Sequence, residues 1–321
     1  MLSSAPQQRG LAWAPPEAAE PTEHDLGFSF VALGGEAELR LTGHSQALLL
    51  EAVEAAQAEI LRIERQYSRY RIDSVVSCIN ATAGTGCGIR VDDETAGLLH
   101  FADRLFQQSQ GLFDITSGVW RRAWDFRSGR LPSEAELAAL RPCVGWDKVR
   151  WDGESIYLQR AGMELDFGGF GKEYAADRAA AVLLSHGVNS GYVNLAGDIR
   201  VLGPHPSGRP WQMGLQHPRA PDTVMAHIAM TDGGLATSGD YERYFDVNGQ
   251  RYCHLIDPRS GWPVQHWQSI SVVAPLCIAA GSLSTCAMLM GVAGADWLRA
   301  QGARFLAVDA QGRMDGHLWT H

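Results

Sequence analysis

Residues 236–264, ATSGDYERYFDVNGQRYCHLIDPRSGWPV, constrain this chain more than any other stretch. At their centre Asp246-Val247-Asn248-Gly249 carries the Asn-Gly pair that tight hairpins favour, because both turn positions need positive φ. Tyr241, Tyr244 and Phe245 mark an extended segment before the turn. Tyr252, His254 and Ile256 mark another after it, in the period-two alternation of strands. Thr237-Ser238-Gly239-Asp240 lies at one end, and Asp257-Pro258-Arg259-Ser260-Gly261 follows His254. Two hydroxyls, two carboxylates, an imidazole and a guanidinium therefore gather near the ends of one hairpin, more polar chemistry than it needs in order to fold.

The rest of the chain supplies neighbours for that hairpin. Residues 28–41 read as two strands broken at Gly34-Gly35. Leu49, Val53, Ala56, Ile60 and Ile63 recur at helical spacing within 45–67. Residues 75–80 are too short to assign. A second helix spans 92–110 with Asp92 or Asp93 as cap, and Gly111 suits a left-handed stop. Asp114 and Thr116, two apart, share one face if that segment is extended. Ser133 caps a helix to residue 140, and three short strands follow at 147–151, 155–159 and 163–167. Strands are expected in 191–202, 211–216, 223–230, 269–274 and 305–308, with the 211–230 pair continuing the same sheet. Helices are expected over 278–290 and 294–301. Strand pairs joined by short turns, with helices beside them, predict an α+β fold of mainly antiparallel sheets.

Between 166 and 174 lies Asp166-Phe167-Gly168-Gly169-Phe170-Gly171-Lys172-Glu173-Tyr174, leading into a helix to about residue 186. Glycines where a strand becomes a helix offer backbone N–H groups and a helix dipole to an anion, and Lys172 adds a charge. The spacing is neither GxxxxGK[ST] nor GxGxxG.

The 321 residues carry a formal net charge of −9 with a pI near 5.6, which disfavours nucleic acid while leaving room for a local phosphate pocket. The six cysteines have no zinc-like spacing and read as reduced thiols. No basic-then-apolar leader, lipobox or run of roughly 20 apolar residues is seen, so a cytoplasmic location without membrane contact is expected. Residues 1–24, rich in Pro and Ala, are expected to be disordered, and 25–321 to form the working domain.

Seven segments in order, RQYSRYRIDSVVSCIN, GLFDITSGVWRRAWDF, LDFGGFGKEYAAD, YVNLAGDI, ATSGDYERYF, HLIDPRSGWPV and AAGSLSTCAMLMG, resemble the ApbE family of FAD:protein FMN transferases. The resemblance implies an ApbE-like fold and a Mg²⁺-dependent reaction. FAD is split at its pyrophosphate, FMN is joined by a phosphoester to a Ser or Thr of an acceptor protein, and AMP leaves. It implies His254 and Asp257 as catalytic residues, and Leu33, Tyr70, Leu112, Phe113, Asp114, Asp166, Lys172 and Ile256 as FAD contacts. It implies Gly169, through its carbonyl, and Thr285 as metal ligands. Three positions depart from the family pattern. Gly281 stands where the family has a metal-binding Asp, Glu173 follows Lys172 in place of Gly, and Ala196 replaces another Gly. Ser282, Ser284 or Asp240 are the candidates to compensate through water. Two alternatives follow from Gly281: an FAD-binding protein that has lost transfer, and an FAD pyrophosphatase. Taken singly, His254 reads as a core histidine and Tyr70 and Phe113 as core; Asp114 reads equally as an Asx-turn residue or a site residue, and Asp166, with Lys172 six residues on, reads as functional rather than only as a helix cap.

Overall fold

Alternation decides the central architecture: in each strand of the main sheet, neighbouring residues serve opposite faces. The computed structural model describes residues 25–43 and 45–318, so the expectation for residues 1–24 lies outside it. The chain opens with β1 (Asp25–Ala32) and β2 (Gly35–Thr42), joined through Leu33 and Gly34, both at positive φ. Then come α1 (Gln46–Tyr67), α2 (Val75–Ala81), β3 (Ile89–Arg90), α3 (Asp93–Gln108) and α4 (Glu134–Leu140). Next are β4 (Val149–Trp151), β5 (Ser155–Leu158), α5 (Gly171–Ser185), β6 (Gly191–Leu195) and β7 (Asp198–Gly203). β8 (Trp211–His217), β9 (Ala220–Met230), β10 (Gly233–Gly239), β11 (Tyr244–Val247) and β12 (Gln250–Cys253) follow. The chain closes with β13 (Trp267–Ala274), α6 (Cys277–Leu289), α7 (Gly294–Ala300), β14 (Arg304–Asp309) and β15 (Met314–His317).

Eight strands form one antiparallel sheet in the order β1-β2-β6-β7-β10-β13-β14-β15. Val193 and Leu195 join the core shared with α1 and α5, while Ala236, Ile270 and Val272 join the one shared with α6 and α7. The intervening residues Tyr192, Ile199, Leu235 and Val273 pack against Trp211, Met213, Leu215, Ile228 and Met230 of the β8–β9 ribbon. The α+β reading therefore holds, with helices on one face and a ribbon on the other.

Local chemistry explains the helices. Ser45, Ser74 and Asp92 each accept a backbone N–H of a first turn, and Ser133 and Glu136 form a reciprocal capping box. One stripe of α1, Leu49 to Tyr67, is buried.

Several expectations change. The 236–264 stretch is divided: β10 belongs to the main sheet, while β11 and β12 make a separate two-stranded sheet with His254 just beyond it. β8 and β9 pair only with each other. Residues 163–167 form no strand, since Asn80 takes both backbone groups of Leu165 and Asp166 donates its N–H to Ile115; Ile89-Arg90 is instead the third member of that small sheet. Asp114–Thr116 is a turn, not an extended segment. The apolar run Cys277–Ala300 is long enough by composition to cross a membrane, contrary to expectation, yet a 3₁₀ turn breaks it and 56% of its most apolar window is buried in the fold.

Candidate functional site

The tips of two hairpins and the start of α5 meet at one place. The β6–β7 turn, Ala196-Gly197, lies at positive φ, and Ala196 donates its N–H to Glu36 across to β2 at 2.8 Å. A Cβ at Gly35 would stand 2.8 Å from that of Ala196, so the tip carrying Leu33 rests directly on this turn. Asp198, buried at the start of β7, accepts a hydrogen bond from Lys172 Nζ at 2.5 Å. Burial opposes the Lys172 charge, but Asp198 and Glu173 outweigh it and raise the ammonium pKa, so Lys172 stays protonated.

The glycine loop before α5 is fixed from both sides. Asp166 accepts from Gly168 N–H at 2.9 Å and pairs with Arg69 at 2.6 Å. Arg69 also donates to the Tyr70 hydroxyl at 2.9 Å, leaving the Tyr70 ring 78% exposed at the rim. Tyr70, Arg69 and Asp166 thus form one chain of contacts. Gly169 is small because Phe113 lies against it, 3.1 Å from where a Cβ would be. Phe113 stacks on Phe170 in the main core, and Leu112 is equally buried. Asp114 turns inward: Oδ1 accepts from the Thr116 N–H and hydroxyl, and Oδ2 from Trp146 N–H. Its carboxylate is spent bracing a turn, as the Asx reading has it. Leu112, Phe113 and Asp114 shape the floor behind the loop.

The loop after β12 is held by the Trp cluster. Trp120 and Trp124 donate their indole N–H groups to the Pro258 and Gly261 carbonyls at 3.2 and 2.7 Å. Gly261, at φ 76°, lies flat on the Trp120 ring, 3.0 Å from where a Cβ would be. Asp257 accepts from Arg259 N–H and pairs with its guanidinium, so it shapes this turn; Ile256 bridges to Pro263 beside the Trp cluster. His254 is anchored by its N–H to the Arg243 carbonyl. The residue is half-buried, and its Nδ1 is sealed with no hydrogen-bond partner among the described residues. Burial, then the charges of Arg243 and Lys172, lower its pKa to about 4, so the imidazole is neutral at pH 7. Lys172 is the third contributor to that shift, after burial and Arg243.

On α6 the Thr285 and Ser284 hydroxyls both meet Ser238 of β10, at 2.9 and 2.7 Å, and Ser284 donates to the Gly281 carbonyl at 3.0 Å. Asp240 is unavailable as a compensating ligand, since Arg219 grips both its oxygens at 2.6 Å. The space beside Gly281 is filled from α5: a Cβ there would stand 2.3 Å from Glu173 Oε1. Glu173 is buried, and its Oε2 has no partner among the described residues. Burial, then the Asp198 charge, raise the Glu173 pKa above the usual carboxylate range. Among the described residues no three His, Cys, Asp or Glu side chains are clustered as a metal cage. An unpartnered buried carboxylate oxygen near hydroxyl-bearing residues nevertheless fits Mg²⁺, which uses one or two carboxylates and completes its shell with water and substrate phosphate.

Sequence reasoning missed Arg69 and Asp198 as site members. Both stood inside quoted segments, but neither the loop charge nor the turn carboxylate showed its partner. A shallow depression of about 370 Å³ lined by Glu94, Leu98, Phe101, Tyr174 and Ile278 contains none of the expected site residues.

Residues 33–307 match the profile of the ApbE family. A relative named FAD:protein FMN transferase, from Haemophilus influenzae, is 32% identical over 249 residues, covering 74% of this chain and 72% of the relative. Among solved structures, the ApbE protein of Thermotoga maritima superposes with a TM-score of 0.84 at 31% identity, covering 92% of this chain and 97% of that one. The flavinyl transferase ApbE of Pseudomonas stutzeri, in its apo form, gives 0.81 at 27% identity, covering 94% and 96%. With the profile spanning most of its length and its fold shared by solved members, this chain belongs to the ApbE family.

Proposed function

We propose that this protein transfers FMN from FAD to a Ser or Thr hydroxyl of an acceptor protein. The acceptor oxygen bonds to the FMN-side phosphorus, the pyrophosphate P–O bond to AMP breaks, and the hydroxyl proton passes to a base. Membership of the ApbE family carries this reading, and the neutral His254 imidazole supports it, since a base must be unprotonated at working pH. The Gly168-to-Gly171 backbone at the head of α5, with Lys172, receives the diphosphate. Tyr70, Leu33 and Ile256 are the apolar walls for the rings, and Asp166 fixes the loop through Arg69. Leu112, Phe113 and Asp114 support that floor from behind. Asp257 positions the loop that bears His254. When bound, Mg²⁺ supplies positive charge to the pyrophosphate; Thr285 and the Gly169 carbonyl are its candidate ligands. The working site lies in the domain from residue 25 onward, and the partners are FAD and an acceptor protein, with neither nucleic acid nor membrane required.

The test is incubation with FAD, Mg²⁺ and an acceptor bearing the family's Ser/Thr target sequence, followed by in-gel flavin fluorescence and mass spectrometry. A covalently flavinylated acceptor is expected, and His254→Ala is expected to lower its rate at least 100-fold. An unlabelled acceptor with FAD intact supports a binding protein instead. FMN and AMP released without labelling support a pyrophosphatase.

A further inference from the structure

A buried carboxylate oxygen without a donor is costly, and a native protein seldom leaves one without a purpose. Glu173 is such a group: 6% exposed, with Oε2 sealed and unpartnered among the described residues. Lys172, whose charge opposes that of Glu173, is committed to Asp198 at 2.5 Å. The charges of Asp198 and Asp177 also bear on Glu173. Arg200, paired with Asp177 at 3.4 Å, is shared with Asp232 at 2.8 Å. Among the described residues, Asp177, Asp198 and Glu173 thus stand against Lys172 and Arg200.

The position of the carboxylate is set by what faces it. It occupies the volume beside Gly281 of α6, where a Cβ would stand 2.3 Å from Oε1 and 2.6 Å from Cγ. Gly281 also presents its carbonyl to Ser284, whose neighbour Thr285 shares Ser238. Ser282, next in sequence, has a buried hydroxyl that likewise lacks a partner among the described residues. Two unpartnered oxygen-bearing side chains thus lie within two residues of the α5–α6 contact. Hard oxygen donors of this kind are what a small divalent cation takes.

We propose that Glu173, reaching from α5 into the space left by Gly281, is the carboxylate ligand for a divalent cation in this protein. The proposal deepens the transferase reading and rests on it for the identity of the cation, Mg²⁺. It makes Glu173 and Gly281 one unit. Carboxylate and bare backbone have changed places across the helix contact, so the absence of a side chain at 281 leaves the site intact.

The probe is Mn²⁺, read by the loss of its free-ion EPR signal on adding the full-length protein, with and without FAD. Flavin fluorescence quenching in EDTA reports FAD binding separately. Wild type is expected to bind one Mn²⁺, more tightly with FAD present. Glu173→Gln keeps the shape and is expected to weaken Mn²⁺ binding more than tenfold, with FAD binding in EDTA changed less than threefold. Gly281→Asp alone, crowded against Glu173, is expected to lower the melting temperature. The exchange Glu173→Gly with Gly281→Asp is expected to restore both fold and Mn²⁺ binding. Unchanged Mn²⁺ affinity in Glu173→Gln, or no Mn²⁺ bound by wild type, overturns the proposal. Normal Mn²⁺ binding without any flavinylated acceptor overturns the transferase reading alone.

Discussion

His254 is held neutral by burial and by two nearby cations, Arg243 and Lys172, and this has a consequence for stability. In the unfolded chain a histidine titrates near 6.5, against about 4 here. The folded state binds fewer protons, so the stabilisation is complete above pH 6.5 and is lost as pH falls toward 4. The loss from this one group is roughly 3 kcal/mol. Urea unfolding of wild type and His254→Asn across pH 7 to 4 measures it: the variant is expected to show the shallower acid slope. Parallel slopes would mean that the ring gains a proton without strain. This behaviour was only half legible in the sequence. The motif HLIDPRSG pointed to His254, but the two cations around it come from Arg243 and Lys172, distant or unremarked in the sequence.

Asp177 shows what a single side chain does for an element. From α5 it accepts the Cys277 and Ile278 N–H groups, both at 2.9 Å, and so caps α6 from a neighbouring helix. α6 has no side-chain cap of its own. Charged acceptors at a helix N-terminus contribute about 1.5–3 kcal/mol. Asp177→Ala is expected to lower unfolding stability by that amount in a denaturant titration, with the denaturant slope unchanged; an effect below about 0.5 kcal/mol would show that water replaces the cap. Elements were legible where periodicity and caps were strong, as in α1, α3 and α4. They were misread where tertiary partners decide. Residues 163–167 carry a strand-like pattern, but Asn80 and Ile115 take their backbone groups. Residues 75–81 are too short for a periodic signal, yet Ser74 caps them into a helix. Positions 173 and 281 stood out in the sequence as two separate departures; that they touch is known only from the packing of α5 on α6.

At the scale of the molecule, the main sheet is buried on both sides, which ties the β8–β9 ribbon to the fate of the whole. Trp211 packs edge-on against Tyr192 and donates its indole N–H to the Gly203 carbonyl at 2.9 Å. Trp211→Ala is expected to cost about 3–5 kcal/mol. Because the ribbon has no other sheet to lean on, far-UV circular dichroism and tryptophan fluorescence are expected to report one shared, shifted transition. Separate transitions would make the ribbon an independent unit. The contact between α5 and α6 has a consequence of another kind. Changing residue 281 first crowds two acids into a space made for one, and changing residue 173 first leaves none. The two positions therefore constrain each other: a side chain is tolerated at 281 only if the one at 173 gives way.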